Sequence, residues 1–179
     1  RVRGYYGDRP KLRAQLRLTF ADGTMQTIAT DSSWKVSFGP ITESDIMAGE
    51  TYDARRELPG WSTAAYDDRT WVPVTTFPAP AIELSPVLGP SVRVTQEIKP
   101  VAAPKKVGIW PAPVWIFDLG QNMVGRVRLK VKVPAGRIIR LRFAEVLNPD
   151  GSLYTDNLRA ARCTDFYTAK GDPKGETWE

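Results

Sequence analysis

The sequence predicts an all-β protein built from β-sandwiches, and three observations support that class. Apolar and polar residues alternate in several short runs, which is the pattern of half-buried strands. Glycine and proline, which account for 14 and 15 of the 179 residues, separate these runs. No segment has the period of an amphipathic helix over any length. Short, closely spaced strands with this punctuation are typical of β-sandwiches.

The clearest strand pair lies near the N-terminus. Residues 12–20 alternate apolar and polar side chains, and residues 25–30 resume the pattern. Between them stands Asp22-Gly23, a pair that favours a tight turn. The sequence therefore predicts a β-hairpin.

A proline-rich stretch marks the next boundary, because nine of the fifteen prolines fall between Pro73 and Pro113. Proline stiffens an extended chain and cannot donate to a β-ladder. We interpret residues 77–104 as a bridge between two domains. Further strand-like runs are predicted around 92–97 and over 114–118, 125–133, 137–146 and 161–168.

Composition excludes several kinds of function. The chain has no histidine and one cysteine, Cys163, which removes Ser-His-Asp and Cys-His triads, histidine-bearing zinc sites and an intrachain disulfide. No apolar run is long enough for a membrane-spanning helix, and the first residues lack the apolar core of a signal peptide. We therefore expect a soluble chain with no membrane partner. Among common catalytic groups, paired carboxylates remain.

The net charge of +5 lies entirely in the second half of the chain. Residues 1–80 hold ten basic and ten acidic side chains, whereas residues 81–179 hold fifteen and ten. Much of the excess alternates with apolar residues between Arg126 and Val133, as on a half-buried strand. We interpret it as a solvated strand face, with a polyanion site as the alternative, and expect no nucleic-acid partner.

The stretch from Ser44 to Arg56 is the better candidate for function. It has no sustained period and is predicted to be an ordered loop. Its carboxylates suit Ca²⁺, although their spacing is not that of an EF-hand. Carboxylates, guanidinium groups and an aromatic ring together also suit a sugar. A salt-bridged structural loop is the alternative. The candidate carbohydrate-binding residues are Asp45, Glu50, Tyr52, Asp53 and Arg55.

Two sets of residues carry a resemblance to a known family. The segments 39–41, 49–55, 60–61 and 67–71 look like the N-terminal carbohydrate-binding-like domain of bacterial α-L-rhamnosidases. The strings DLGQNMVG at 118–125 and DGSLYTDNLR at 150–159 resemble the β-sandwich that follows it in these enzymes. The match covers essentially the whole chain, and its second half is the more specific.

The resemblance implies a domain plan. Residues 1–76 would form part of a galactose-binding-like, rhamnose-binding-type jelly-roll sandwich, and residues 77–104 the bridge. Residues 105–179 would form a second β-sandwich, truncated at its C-terminal strand. On this reading we expect the chain to be an internal fragment of a longer protein.

The resemblance also implies an activity for the parent protein. Members of glycoside hydrolase family 78 remove terminal L-rhamnose with inversion, through carboxylic residues in an (α/α)₆ barrel. No string of the kind that the barrel carries is found in this chain. We therefore expect a chain that is inactive by itself, with no catalytic residue of its own, and whose partners are L-rhamnose or rhamnosides and the barrel of the same polypeptide.

For relatives that bind rhamnose through the first domain, the resemblance implies a calcium ion near the loop matching Ser44–Asp53, which bridges protein oxygens and sugar hydroxyls. The positions carried over from them as metal ligands are Asp45 and Glu50. Three readings stay open: a sugar-binding module, a purely structural spacer in a glycoside hydrolase, and a complete hydrolase with a two-carboxylate site.

Overall fold

The computed structural model describes residues 9–86, 88–107 and 113–179. Within these ranges the chain forms short β-strands and two single turns of 3₁₀ helix, at Ala54–Arg56 and Asp156–Leu158, with no α-helix. The all-β fold class is confirmed. The strands are β1 Gln15–Thr19, β2 Met25–Ala29, β3 Lys35–Val36, β4 Ile41–Asp45, β5 Gly49–Asp53, β6 Val72–Pro73, β7 Lys105–Val107, β8 Val114–Ile116, β9 Leu129–Val131, β10 Ile138–Arg142, β11 Thr164–Thr168 and β12 Glu176–Trp178.

The chain divides into two compact units that do not follow the order of the sequence. Unit 1 comprises Arg1–Ser37 and Gly60–Ser91, and unit 2 comprises Phe38–Pro59 and Val92–Glu179. The predicted first domain, residues 1–76, is thus shared between the units. The reason is that β4 and β5 pair into a sheet with strands from the C-terminal part of the chain.

Unit 1 contains the predicted N-terminal hairpin, which is confirmed. β1 and β2 pair antiparallel from Gln15 opposite Ala29 to Thr19 opposite Met25. The Asp22 carboxylate closes the turn by accepting the amide N–H of Thr24 at 2.9 Å. A second, two-residue ladder joins β3 to β6.

Unit 2 is organised around a four-stranded sheet with the order β10-β11-β5-β4. The outer pairs are antiparallel, whereas β5 and β11 are parallel, with Tyr52 opposite Tyr167. Parallel neighbours need a long connection between them. The central pair of this sheet therefore joins residues that are far apart in sequence.

A second sheet of unit 2, formed by β9 and β12, covers one face of the first. The buried centre consists of Ala54, Tyr167 and Ala169. Half-buried side chains from both sheets pack against it: Tyr52, Leu129, Val131, Val133, Ile139 and Trp178. The centroid of the Tyr167 ring lies 5.9 Å from that of Tyr52 and 5.4 Å from that of Trp178. Two sheets packed over one core form a β-sandwich, but its main sheet includes β4 and β5, which lie outside the residues 105–179 predicted for the second sandwich.

Several element predictions were wrong. The stretch around 42–53, predicted as a loop, is the β4–β5 hairpin, and no strand forms at 92–97. β9 and β10 are shorter than the runs 125–133 and 137–146 that predicted them, and β12 had not been predicted. The signal-peptide prediction concerns residues 1–8, which lie outside the described residues. No helix in the described ranges is long and apolar enough to cross a membrane.

The alternating basic stretch before Val133 has its charges in solvent, as predicted, although only Leu129–Val131 of it forms a strand. Its apolar residues are half-buried and its basic residues are exposed. Arg128 forms ion pairs with Glu97 at 2.7 Å and Glu179 at 2.6 Å. These pairs neutralise part of the stretch.

Candidate functional site

The turn between β4 and β5 carries two of the predicted site residues, Asp45 and Glu50, at adjacent register positions. Ser44 lies opposite Glu50, and Asp45 lies opposite Gly49. The Asp45 Oδ1 atom accepts the amide N–H groups of Met47 and Ala48, both at 2.8 Å. An aspartate that caps its own turn in this way fixes the chain direction locally.

Gly49 is required at this turn for two reasons. Its φ of +102° is one that residues with a Cβ rarely adopt. A Cβ atom at this position would also overlap the carbonyl oxygen of Thr164. The turn is therefore held tightly against the start of β11.

Backbone contacts anchor the turn further. The amide N–H of Cys163 donates to the Met47 carbonyl at 3.1 Å, and that of Thr164 donates to Ala48 at 3.2 Å. The Arg162 guanidinium donates to the Ala48 carbonyl at 3.1 Å and pairs with Glu43 at 2.9 Å. One arginine thus bridges the hairpin and the segment that leads into β11.

Glu50 lies beside a second carboxylate. Its amide N–H donates to Asp165 Oδ1 at 2.8 Å. Burial raises the pKa of the Glu50 carboxyl, and the charge of Asp165 raises that pKa further. Glu50 therefore holds a proton more readily than an ordinary glutamate, which is a property that general acids share.

Tyr52 lies in the middle of β5 and belongs to the packed interior of unit 2. Its ring stacks on Tyr167, and its hydroxyl donates to Glu57 Oε1 at 3.1 Å. Burial and the adjacent charge and hydrogen bond of Glu57 raise the pKa of Tyr52 to about 12. These contacts give Tyr52 a packing role, and they occupy the ring face that meets Tyr167.

Asp53 and Arg55 bind each other. The guanidinium of Arg55 donates to both carboxylate oxygens of Asp53, at 2.9 and 2.8 Å, and the Arg55 amide donates to Oδ1 at 3.1 Å. The hydrogen bonds from Arg55 hold the pKa of Asp53 below its usual value. About half of the Arg55 side chain is exposed. A sugar hydroxyl would have to compete with this bidentate pair.

The structure thus separates the predicted site residues into two groups. Asp45 and Glu50 lie at the turn, whereas Asp53 and Arg55 lie at the far end of β5. Glu50 and Asp53 are three positions apart along β5, which corresponds to roughly 10 Å. A monosaccharide at the turn would therefore contact the first group and not the second.

The carboxylates at the turn provide few of the oxygen ligands that a calcium ion requires. In the described parts of the chain, no three or more His, Cys, Asp or Glu side chains gather where they could hold a metal ion. One oxygen of Asp45 already accepts two N–H groups. Ca²⁺ takes six to eight oxygen ligands. These side chains by themselves do not fit a calcium site, and calcium binding at Asp45 and Glu50 stays a prediction.

Sequence reasoning missed the side chains that hold the hairpin in place. Asp165 and Arg162 contact the turn from more than 110 residues away in sequence. The Glu57 carboxylate accepts hydrogen bonds from the Tyr52 hydroxyl and the Lys170 ammonium group. The alternation of Thr164–Thr168 indicated a strand. No local signal showed which strand would lie beside it.

Comparison with known families covers nearly the whole chain. Residues 1–96 match the family model of the α-L-rhamnosidase N-terminal domain, and residues 110–179 match that of the bacterial α-L-rhamnosidase concanavalin-like domain. The first match alone spans more than half of the chain.

Individual proteins agree with the family models. An α-L-rhamnosidase of Streptomyces avermitilis is 48% identical over 97% of this chain, which corresponds to 16% of the relative's length. A solved structure of the Streptomyces avermitilis enzyme in complex with L-rhamnose has a TM-score of 0.81, with 47% identity over 97% of this chain and 16% of that one.

A further solved α-L-rhamnosidase, from Dictyoglumus thermophilum, has a TM-score of 0.82 at 36% identity, over 99% of this chain and 20% of that chain. The chain therefore spans about a sixth to a fifth of the length of the proteins it matches. By these matches the chain belongs to the α-L-rhamnosidase family, in which it corresponds to the N-terminal domain and the concanavalin-like domain.

Proposed function

We propose that this chain forms non-catalytic β-domains of an α-L-rhamnosidase, and that it supports hydrolysis of terminal α-L-rhamnosides by scaffolding and by binding carbohydrate. The observation that carries the proposal is the match of nearly the whole chain to such enzymes, one of them solved with L-rhamnose, over a small share of their length. The reaction itself would belong to the remainder of the parent polypeptide.

Within the chain, the turn of the β4–β5 hairpin is the place we propose for the sugar. β4 is exposed along its length, and as the outer strand of its sheet it leaves one edge without a neighbour in that sheet. Asp45 and Glu50 lie at adjacent register positions on opposite faces of the hairpin, so a sugar would have to bind at the end of the turn to contact both carboxylates. Tyr52, Asp53 and Arg55 would contribute by holding β5 in place.

L-Rhamnose titration of the 179-residue chain, followed by amide chemical shifts, tests the proposal. We expect shifts centred on Asp45 to Glu50 with a dissociation constant on the order of 0.1–1 mM, because an exposed monosaccharide buries little surface. Asp45→Ala and Glu50→Ala should each weaken binding. Titration with calcium and then with chelator shows whether the ion adds affinity, since the side chains supply only two carboxylates.

Asp22→Ala is the matched control, because Asp22 caps the turn of the other hairpin by the same kind of hydrogen bond. It should leave rhamnose binding unchanged. If shifts map elsewhere, or if both Asp45→Ala and Glu50→Ala bind rhamnose as the unmodified chain does, the site does not lie at this turn.

A purely structural role is the second candidate, and one observation favours it. The Asp53–Arg55 pair and the Tyr52 ring are engaged with protein groups, which leaves fewer groups for a ligand. Absence of any rhamnose-dependent shift at tens of millimolar sugar would establish this alternative.

A further inference from the structure

A pocket on unit 2 has no role in the function proposed above. It lies on the four-stranded sheet, is open to solvent and has a volume of about 350 Å³. That volume is at the small end of the range for ligand sites in proteins. Its lining is formed by Arg140, Arg142, Thr155, Arg159, Ala161, Arg162, Thr164 and Phe166.

The pairing of β10 with β11 explains why the arginines converge. Arg140 lies opposite Phe166, and Arg142 lies opposite Thr164. Residues directly opposite each other in an antiparallel pair share a face of the sheet. The alternate residues Ile139 and Tyr167 pack into the core on the other face. Arg140 and Arg142 therefore project on the side away from the core.

Among the residues that the structure describes, three of the four arginines have no ion-pair partner. In the described ranges, the side chains of Arg140, Arg142 and Arg159 make no ion pair or hydrogen bond. Arg162 is the exception, because it pairs with Glu43 and lies over the Phe166 ring at 5.4 Å. Like charges gathered at one pocket repel each other, so an anion placed among them would be stabilised.

The backbone at Arg159, which ends the Asp156–Leu158 turn, is unusual. Its φ of 54° is unusual for a residue with a Cβ. Such conformations persist where the surrounding structure holds them, and they are concentrated at binding sites. Here the conformation accompanies a side chain that lines the pocket.

We propose that this pocket binds an acidic sugar unit, through an oxyanion placed among Arg140, Arg142 and Arg159. Guanidinium groups bind carboxylate, sulfate and phosphate oxygens in a bidentate manner. Thr155 lies in the same lining for sugar hydroxyls, and Phe166 offers an apolar surface. The choice of a saccharide over other polyanions rests on the proposed function, whereas the anion site rests on the arginines themselves.

Titrations of the 179-residue chain with D-glucuronate, glucose 6-sulfate and neutral D-glucose test the proposal, in low-salt buffer without phosphate. We expect both anionic sugars to shift the amides of β10, β11 and residues 155–162, with millimolar affinity, and glucose to cause no shift. The relative affinities of the two acids distinguish a carboxylate from a sulfate ligand. Raising sodium chloride to about 0.5 M should weaken binding several-fold by screening.

The double variant Arg140→Gln/Arg142→Gln should weaken glucuronate binding at least tenfold. Lys130→Gln/Lys132→Gln is the matched control, because it removes the same charge from exposed positions on and beside β9. It should leave binding unchanged. Arg140→Lys/Arg142→Lys keeps the charge and should show an intermediate loss, since lysine lacks the bidentate fork.

Two results would overturn the anion site: no shift at these amides with either anionic sugar, or equal losses of affinity in Lys130→Gln/Lys132→Gln and Arg140→Gln/Arg142→Gln. A short single-stranded RNA that binds the same amides more tightly than an acidic disaccharide would also overturn the choice of a sugar. Rhamnose at the turn is also expected to shift the first amides of β11, because Cys163 and Thr164 donate to the turn, so the amides of β10 and the arginine variants report on the pocket specifically. If rhamnose binding fails, the anion site still rests on its arginines but the choice of a sugar loses its support, whereas failure of anion binding leaves the rhamnose proposal unaffected.

Discussion

The two hairpins of this chain have the same kind of aspartate-capped turn, but their surroundings differ. The β1–β2 and β4–β5 hairpins each consist of two five-residue strands. In each hairpin an aspartate caps the turn, and the turn also contains or adjoins a glycine of positive φ. β1 and β2 are almost wholly exposed and pair only with each other in the described part of the chain. β5 is half-buried along its length between β4 and β11.

This difference indicates that the turn residues determine where a hairpin forms, whereas neighbouring strands determine how stable it is. An isolated two-stranded hairpin is marginally stable in water, whereas added strands and a packed face give it independent stability. We therefore expect perturbations of β4–β5 to spread into unit 2, and perturbations of β1–β2 to stay local.

The largest effect should come from alanine at the turn glycines. Gly49→Ala should lower the free energy of unfolding of unit 2 by about 3 kcal/mol or more, because it combines backbone strain with overlap of the Thr164 carbonyl. Gly23→Ala meets no neighbouring atom, so the cost should be roughly 1–2 kcal/mol from its positive φ. Amide hydrogen exchange, read separately for the strands of each hairpin, measures both.

Gly23→Ala should leave exchange in β5 and β11 unchanged. If the two glycine variants give equal losses, or if Gly49→Ala affects only its own turn, the hairpins do not differ in the way their surroundings indicate.

The next effect concerns the buried acceptor beneath β11. Glu176 is 6% exposed and accepts the Tyr167 hydroxyl at 2.6 Å and the amide of Lys170 at 2.9 Å. Burial raises the pKa of Glu176, but these hydrogen bonds and those from nearby amides outweigh it, so the pKa lies below 4.5. Glu176→Gln should cost about 1–3 kcal/mol at pH 7, and β5 should lose protection with β11.

The pH dependence gives the control for this variant. A carboxyl whose pKa is lowered by folding contributes stability at neutral pH, which is lost as the pH falls below 4.5 through the folded pKa. Urea titrations of unit 2 between pH 3 and 7 should therefore be flatter for Glu176→Gln than for the unmodified chain. Parallel curves would contradict this account.

The smallest effect has the opposite sign. Because folding raises the pKa of Glu50, the folded chain binds more protons than the unfolded chain just above pH 4.5, and stability falls as the pH rises there. Glu50→Gln should remove the repulsion with Asp165 and stabilise unit 2 at pH 7 by about 0.5 kcal/mol, given partial solvent screening. The gain should vanish below pH 4, and a loss at pH 7 would show that the Glu50 charge is favourable.

The N-terminal hairpin could be predicted because its information is local. Asp22-Gly23 lies between two alternating runs, so both the turn and the strands can be predicted from the local sequence. The β4–β5 hairpin was predicted as a loop because Thr42, Glu43 and Ser44 have no apolar alternation. It becomes part of a sheet because Ala48 and Glu50 bond to Thr164 and Asp165, which no local pattern reveals.

For the candidate site, too, the sequence predicted the local features but not those that depend on the order of the strands. Residue types identified Asp45 and Glu50 as possible sugar contacts, but not the separation of Asp53 and Arg55 from them along β5. The engagement of Asp53 with Arg55 could be anticipated from their spacing, since an aspartate often accepts the amide two residues on. The pairing of Tyr52 with Tyr167 could not, because it depends on the order of strands in the sheet.

The parallel pairing of β5 with β11 has a consequence for how the protein is made. The amide of Glu50 meets the carboxylate of Asp165 across 115 residues of chain. Ribosomes add about 5–20 residues per second, so on the order of ten seconds pass between synthesis of the two partners. During that time the β4–β5 hairpin has an open edge where β11 will later bind, and the nascent chain is most open to pairing with a second chain.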